Sequence, residues 1–266
     1  MSYSIKWGQK TPGHLLFLID QSGSMQINGN DQKVVDAVHT AITEVIQQCI
    51  SGPTVKNRVY ITIIGYGNEN GVSIVKEGWA DSFVKDLMAC KNNGTKIIEK
   101  KFYGNTPMAD AFELAEKSIK AWLKAREQAK ATDPQVEIPA PIVINITDGM
   151  PDDAPQNNVQ TISAAKNVLG TNTPDGNVIV LNIHLSESGN PIYFPQNKVA
   201  LCNDEAGEFL FEISSEMNDR FIEVANAKGL EGVFPGSKGF IANAKGDTLV
   251  RFITFGSAIS GTQKAE

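Results

Sequence analysis

The residues best suited to chemistry in this sequence are Asp20, Ser22 and Ser24, with Gly23 between the two serines. One carboxylate and two hydroxyls at alternate positions offer hard oxygen ligands, which suit Mg²⁺, Mn²⁺ or Ca²⁺ better than zinc or copper. The same residues could form an ordinary serine-rich turn in which Asp20 accepts backbone N–H groups. The cluster alone therefore leaves a metal site and a structural turn open.

Two later segments place similar oxygen ligands beside predicted helices and strands. Thr106 precedes Pro107 and an apolar helical stripe, which predicts a helix N-cap with proline at the first helical position. A threonine hydroxyl at such a position could also reach a metal. Asp148 follows an apolar run that ends at Thr147, so it repeats the pattern of a carboxylate after a buried strand. An Asp148–Gly149 turn is common without a metal, and this interpretation also stays open.

The segments around these residues predict an alternating α/β fold. Leu15 to Ile19 is an unbroken apolar run, typical of a strand buried on both faces of a parallel sheet. Further strands are predicted at 59–67, 72–79, 141–147 and 178–185, and helices at 31–50, 108–123 and 159–169. Only a short turn separates the strands at 59–67 and 72–79. They should therefore pair antiparallel, with the second strand at an edge of the sheet.

The predicted sheet brings the chemistry-bearing residues to one place. In open parallel sheets, ligands bind outside the carboxyl ends of the strands, where the strand order reverses. Asp20 and Asp148 both follow such strands, and they should meet there if the strands are neighbours. The 266 residues are enough for one large α/β domain. We predict a single domain over 1–266, with a core at about 6–185, a polar linker at 124–139 and a C-terminal extension or completion at 186–266.

Composition and charge argue against several function classes. The formal net charge is −6, from 24 basic and 30 acidic residues, and no basic cluster with interleaved aromatics predicts a nucleic-acid partner. No apolar run reaches 18 residues and the first residues lack an apolar signal segment, so we expect a cytoplasmic protein without membrane contact. Cys49, Cys90 and Cys202 are widely spaced, which is typical of reduced cytosolic thiols.

The three motifs together resemble the von Willebrand factor A (VWA) domain and its metal-ion-dependent adhesion site. The motifs are Asp20-x-Ser22-x-Ser24 after a first buried strand, Thr106 before a helix, and Thr147-Asp148-Gly149 after a later strand. The resemblance covers about 6–185. It implies a Rossmann-like α/β fold, with a doubly wound, mostly parallel central sheet and one antiparallel edge strand.

The resemblance also implies a site and a partner. The residues that would hold Mg²⁺, or alternatively Mn²⁺ or Ca²⁺, directly or through water are Asp20, Ser22, Ser24, Thr106 and Asp148. One remaining position would accept an Asp or Glu carboxylate from a partner protein. The rim expected to contact that partner consists of Gln26, Asn28, Asn105, Met150 and Asp152.

The stretch from Phe17 to Met25, without a signal peptide ahead of it, is similar to bacterial cytoplasmic VWA proteins. Some of those proteins resemble tellurite-resistance-associated proteins encoded beside protein kinases and phosphatases. The resemblance implies a role in an intracellular bacterial assembly that serves stress response or kinase- and phosphatase-linked signalling.

An enzyme is the main alternative: a metal-dependent hydrolase or phosphotransferase acting through Asp20. A phosphotransferase of the haloacid dehalogenase type would need a second Asp two residues later, where this chain has Ser22. Neither Ser22 nor Ser24 lies in a G-x-S-x-G elbow, and no glycine-rich phosphate loop is present. A scaffold with a vestigial metal site is a third hypothesis. We expect a binding module without catalytic residues.

Overall fold

The computed structural model describes residues 3–185, 190–244 and 247–259, without the side chains of Asn28, Asp247 and 256–259. The strands in these ranges are β1 (Gly13–Asp20), β2 (Ile50–Ser51), β3 (Thr54–Val55), β4 (Val59–Asn68), β5 (Gly71–Trp79), β6 (Ile142–Thr147), β7 (Ile179–His184), β8 (Ile192–Tyr193) and β9 (Phe240–Ala242). The helices are α1 (Asn30–Gln47), α2 (Ala80–Asn93), α3 (Met108–Thr132), α4 (Val159–Leu169), α5 (Glu205–Glu212), α6 (Asp219–Ala227) and α7 (Asp247–Ile259). Within these three residue ranges, no helix combines the length and the apolar character needed to cross a membrane.

One seven-stranded sheet, in the order β5-β4-β1-β6-β7-β9-β8, organises the described residues. β1 pairs in parallel with β4 on one side and with β6 on the other, so the strand order reverses at β1. β5 pairs antiparallel with β4 at one edge. The prediction of a doubly wound, mostly parallel sheet with an antiparallel edge strand is therefore confirmed. The two-residue β8 adds another antiparallel pairing, with β9, at the opposite edge.

The side chains of β1 lie at the centre of the two hydrophobic cores, one on each face of the sheet. Leu15, Phe17 and Ile19 are fully buried against the layer that contains α1 and α7. Leu16 and Leu18 are fully buried against the opposite layer, which contains α3 and α4. Each such side chain contributes roughly 1.5–3 kcal/mol on burial, so β1 is held firmly from both faces. This rigidity defines where the carboxyl end of β1 lies.

The chain after Leu185 contributes to the sheet and to one of its covering layers. β9 pairs in parallel with β7, and its three residues are buried. Phe252 and Phe255 of α7 are fully buried and pack their rings against Phe194. The assignment of 1–266 to one domain stays a prediction, as does the extent of the core.

Two helix ends differ from the sequence prediction. α3 continues to Thr132, into the stretch predicted as a polar linker. That stretch is rich in Lys, Ala, Glu and Gln, which favour helix even where no apolar stripe is present. α1 ends at Gln47 rather than at Ile50, because Ile50 enters a small β2–β3 hairpin whose turn contains Gly52 at a φ of 58°.

Candidate metal centre

The carboxyl ends of β1 and β6 lie side by side at the point where the strand order reverses. Ile19 is paired with Ile146, so Asp20 and Thr147 leave the sheet together. The Thr147 hydroxyl donates a hydrogen bond to Asp20 Oδ2 at 2.5 Å. Open α/β sheets bind their ligands in this kind of crevice.

Hydrogen bonds join four of the five predicted metal-binding residues. The backbone N–H of Ser22 donates to Asp20 Oδ1 at 2.8 Å. Ser22 Oγ lies 3.0 Å from Ser24 Oγ, and Ser24 Oγ donates to Asp148 Oδ1 at 2.8 Å. The turn after β1 and the turn after β6 are therefore connected through side-chain oxygens.

Thr106 approaches the same crevice on the loop that precedes α3. Gly23 N–H donates to Gly104 O at 3.1 Å. Gly67, at the end of β4, has a φ of 89°, and a Cβ built there would lie 2.3 Å from Asn105 O and 2.9 Å from the backbone nitrogen of Ser22. Any side chain at position 67 would push these segments apart. The glycine thus lets the loop that carries Thr106 lie directly against the Ser22 turn.

Thr106 is not the helix N-cap that the sequence predicts. α3 begins at Met108, and Pro107 occupies the cap position with a ψ of 62° and no side-chain capping bond. The backbone of Thr106 is held by Asp152, whose Oδ1 accepts the Thr106 N–H at 2.6 Å and whose N–H donates to the Thr106 carbonyl at 3.0 Å. The Thr106 hydroxyl makes no hydrogen bond within the described residues. It is therefore available to a cation or to water.

This donor set suits a hard divalent cation. It consists of two carboxylates and three hydroxyls, with no sulfur or imidazole nitrogen. Among the described residues, no group of three or more His, Cys, Asp or Glu side chains is placed to share a metal ion. A site with few charged ligands fits Mg²⁺, which keeps several of its own waters, better than a carboxylate-rich calcium cage. The residues present thus fit the ion that the VWA resemblance implies.

The two carboxylates of the centre are held in an unfavourable environment for negative charge. Asp20 is fully buried. Burial raises the pKa of Asp20 from 3.8 to about 6; hydrogen bonds from Ser22 and Thr147 oppose this increase, and the charge of Asp148 adds to it. Burial also raises the pKa of Asp148, against the hydrogen bond from Ser24. A bound cation would offset the free-energy cost of keeping both carboxylates ionised in this buried environment.

The raised pKa of Asp20 predicts how the stability of the metal-free protein depends on pH. Because the folded protein binds this proton more tightly than the unfolded chain, the contribution of Asp20 is most favourable below about pH 4 and is lost as the pH rises through about 6. Two pKa units correspond to a loss of about 3 kcal/mol. Asp20→Asn should therefore gain stability relative to the native chain as the pH rises from 4.5 to 7.5.

Urea unfolding in EDTA at both pH values measures this difference. Asp133, whose side chain is 42% exposed and whose pKa is lowered by the hydrogen bond from Lys10, provides the control variant Asp133→Asn. A stability difference between Asp20→Asn and the native chain that does not change with pH would contradict the prediction.

The residues predicted to form the rim differ in exposure and in their contacts. Asp152 is exposed and braces the backbone of Thr106, as described above. Gln26 is exposed and its amide donates to the carbonyl of Phe102, which ties the turn after β1 to the Thr106 loop. Asn105 is exposed, and Met150 is half-buried against the core of the α3 layer. Asn28 lies in the 3-10 helix Gly23–Gly29, and its side chain falls outside the described structure.

Three residues outside the predicted metal-binding set lie beside the carboxylates of the centre. Thr147 donates to Asp20, as described above. Asn30, the first residue of α1, lies close enough to Asp148 to help lower the pKa of that carboxyl, and its Nδ2 donates to the Leu185 carbonyl at 3.1 Å. His184 ends β7 opposite Thr147, and its Nε2 lies 3.1 Å from Asp204 Oδ2. Thr147 belongs to the predicted Thr147-Asp148-Gly149 motif, whereas Asn30 and His184 were not predicted at this place. The signal for His184 was its position at the end of a buried strand.

Comparisons with known proteins bear on the fold alone. No protein-family model and no curated protein sequence matches the chain. The pilus adhesin SpaC of Lactobacillus rhamnosus GG, in its open conformation, is 14% identical over 96% of this chain and 31% of its own, with a TM-score of 0.54. Manganese-loaded TRAP of Plasmodium vivax is 16% identical over 68% of this chain and 60% of its own, with a TM-score of 0.40. The vWF domain of the pili tip protein Mfa5 of Porphyromonas gingivalis is 13% identical over 53% of this chain and 39% of its own, with a TM-score of 0.31.

The likeness to SpaC supports the doubly wound architecture, while the TM-scores of the other two proteins are too low to carry an argument. This chain spans about a third of SpaC, so SpaC has further parts with no counterpart in this chain. The mostly parallel sheet and the antiparallel edge strand are those that the VWA resemblance implies. The fold is therefore the doubly wound α/β fold that this resemblance implies.

Proposed function

We propose that this chain is a Mg²⁺-dependent protein-binding module of the VWA type. The observation that carries the proposal is the meeting of three separate loops at one sheet edge, where Asp20, Ser22, Ser24 and Asp148 are linked by hydrogen bonds. The Thr106 loop lies against them, and the hydrogen bonds that Thr106 makes to described residues come from its backbone, which leaves its hydroxyl for a cation. In this proposal the five residues hold Mg²⁺, directly or through water, with Mn²⁺ or Ca²⁺ as substitutes.

The bound ion would supply an incompletely neutralised positive charge that attracts an anionic oxygen. Asp20 and Asp148 are the two carboxylates of the site, so a partner Asp or Glu could complete the set of ligands. An ionic contact in a partly desolvated crevice is far stronger than an exposed salt bridge. The rim residues Asn105, Met150 and Asp152 would then contribute specificity, and Asp152 would disfavour anionic partners that fit poorly.

We further propose a setting for this module. The resemblance of Phe17 to Met25 to bacterial cytoplasmic proteins supports a place in an intracellular assembly, linked to stress response or to kinase and phosphatase signalling. Cys49, Cys90 and Cys202 form no disulfide in the structure, which agrees with a cytoplasmic location. The net charge of −6 disfavours nucleic acid as a partner. We propose that the module binds its partner without catalytic residues of its own.

One Asp or Glu of the partner should dominate binding. The test starts from a protein captured by this chain in Mg²⁺ and released by EDTA. Changing the decisive partner carboxylate to its amide should weaken binding about as much as removing the metal, because both changes remove the same contact. In a double-mutant cycle with Thr106→Val, the two losses should be strongly coupled.

Two outcomes of this experiment would contradict the proposal. If the two losses add independently, the partner carboxylate does not act through the centre. If the proteins captured in Mg²⁺ all stay bound in EDTA, so that none can be selected for the test, the metal has no role and the scaffold hypothesis is favoured. Turnover of p-nitrophenyl phosphate in Mg²⁺ that disappears in Asp20→Asn would instead favour the hydrolase or phosphotransferase.

A further inference from the structure

A groove with a volume of about 480 Å³ lies between α1 and α2. It is lined by the second half of α1, by one face of α2 and by the residues that follow α2. Pockets of roughly 300–1,000 Å³ are typical of small-molecule sites. The first groove residue on α1 is His39, which lies nine residues after Asn30 and so about 14 Å along the helix from its start, and none of the five predicted metal-binding residues lines the groove. The groove is therefore a separate site.

The walls of the groove are mainly apolar. Ile46 projects from α1, and Val84 and Leu87 face it from α2. Two more large apolar side chains lie in the lining with unusual exposure: Met88 is 63% exposed and Ile50 is 46% exposed. Apolar side chains that gather around a concave surface and stay exposed indicate a ligand with an apolar part.

The charged side chains of the groove all have one sign. Lys91 and Lys96 contribute to the lining, and no carboxylate does so within the described residues, although acidic residues outnumber basic ones by 30 to 24 in the whole chain. Lys96 Nζ also lies 3.1 Å from Oδ1 of Asp36, outside the lining. This local excess of cations in an acidic protein complements an anionic group.

His39 adds a neutral donor to the same groove. Its Nδ1 accepts the backbone N–H of Ile97 at 3.3 Å, so the neutral ring carries its proton on Nε2. Burial lowers the pKa of His39, and the positive charge of Lys96 lowers it further, which favours this neutral form. The groove therefore combines apolar walls with two ammonium groups and one imidazole N–H.

We propose that the groove between α1 and α2 binds an amphipathic anion, a carboxylate with an apolar chain of medium length. The apolar chain packs against Ile46, Val84 and Leu87. The carboxylate is recognised by Lys91 and Lys96, with His39 as an additional hydrogen-bond donor.

Isothermal titration of the full chain with decanoate tests this proposal. Titration in EDTA, below the concentration at which decanoate forms micelles, keeps the result independent of the metal centre. Saturable binding to one site is expected, with much weaker binding of the uncharged analogue decanol and of acetate, which lacks the apolar chain. The double variant Lys91→Glu/Lys96→Glu should bind decanoate roughly tenfold more weakly, because two attractive charges become repulsive.

Two further variants separate the groove from general surface effects. Leu87→Trp fills the apolar part and should abolish saturable binding. Lys85→Glu reverses one lysine charge on α2 outside the groove lining and should bind decanoate like the native chain, whereas Lys91→Glu alone should weaken the binding. Thermal melts confirm that each variant is folded, and the lysine variants alter only exposed positions. Absence of saturable decanoate binding, equal binding of decanol, or equal weakening by Lys85→Glu would overturn the proposal.

Discussion

Asp20→Asn is expected to lower the affinity of this chain for Mg²⁺ by roughly 100-fold or more, since even outer partners of metal ligands contribute about 10–100-fold. The substitution keeps the size of a fully buried side chain and removes its charge. The fold should therefore persist, and the metal-free protein should be at least as stable as the native chain at neutral pH, because a buried charge is removed.

Calorimetric titration with Mg²⁺ measures the effect. Asp133→Asn makes the same chemical change at an exposed residue that pairs with Lys10 at 3.0 Å, and it should bind Mg²⁺ like the native chain. An unchanged affinity in Asp20→Asn would show that Asp20 is not a ligand. Equal losses in both variants would show that only the net charge matters.

Thr106→Val is expected to have a smaller effect on Mg²⁺ affinity than Asp20→Asn. It should weaken Mg²⁺ binding by about tenfold, within the range for weaker contributors to metal sites. The free energy of unfolding should stay nearly constant, because the hydrogen bonds that Thr106 makes within the described residues come from its backbone. Asn218→Ala is the contrasting variant: Asn218 caps α6 by accepting the Phe221 N–H at 3.1 Å, and its loss should cost about 1 kcal/mol. If Thr106→Val instead destabilises the protein and leaves its Mg²⁺ affinity unchanged, Thr106 has a structural role and is not a metal ligand.

Leu16→Asp is expected to unfold the protein. Leu16 is fully buried on the central strand β1, in the core shared with α3 and α4. An unpaired carboxylate at this position would lose its hydration and would also leave the space of the leucine poorly filled, at a combined cost above about 4 kcal/mol. Since whole domains have stabilities of about 5–15 kcal/mol, little of the native state should remain.

Circular dichroism and urea unfolding measure this loss. Val199→Asp introduces the same side chain at a position that is 85% exposed, and it should change stability by less than about 0.5 kcal/mol. A cooperative native-like transition in Leu16→Asp would contradict the central position assigned to β1. Comparison with Asp20→Asn, four residues later on the same strand, separates the role of the core from that of the centre.

The parts of the fold that could be predicted are those where one physical signal dominates. An unbroken apolar run such as Leu15 to Ile19 has few ways to be buried other than as a central strand. A short turn between β4 and β5 permits only an antiparallel pairing. The reversal of strand order at β1 then explains why Asp20 and Asp148 lie at one sheet edge. These features require no knowledge of distant contacts.

The remaining features depend on contacts that are distant in sequence. The pattern at Thr106-Pro107 is that of a helix cap, but Asp152 holds the backbone of Thr106 and the helix starts two residues later. The apolar run at 239–242 indicates a strand, but the pairing of β9 with β7 joins segments about 58 residues apart and leaves no local signal. No sequence pattern near His184 indicates that its side chain pairs with Asp204.

The most direct test of the metal centre is the position of an ion in a crystal. Crystals soaked in Mn²⁺ allow the ion to be located by its anomalous scattering. We predict a single strong peak in the crevice between β1 and β6, within bonding distance of the Ser22 and Ser24 hydroxyls. Thr106 and Asp148 should contact the ion directly or through one water, and the peak should disappear in Asp20→Asn. A peak that lies elsewhere, or an ion several ångströms from both Thr106 and Asp148 with no bridging water, would contradict the proposed centre.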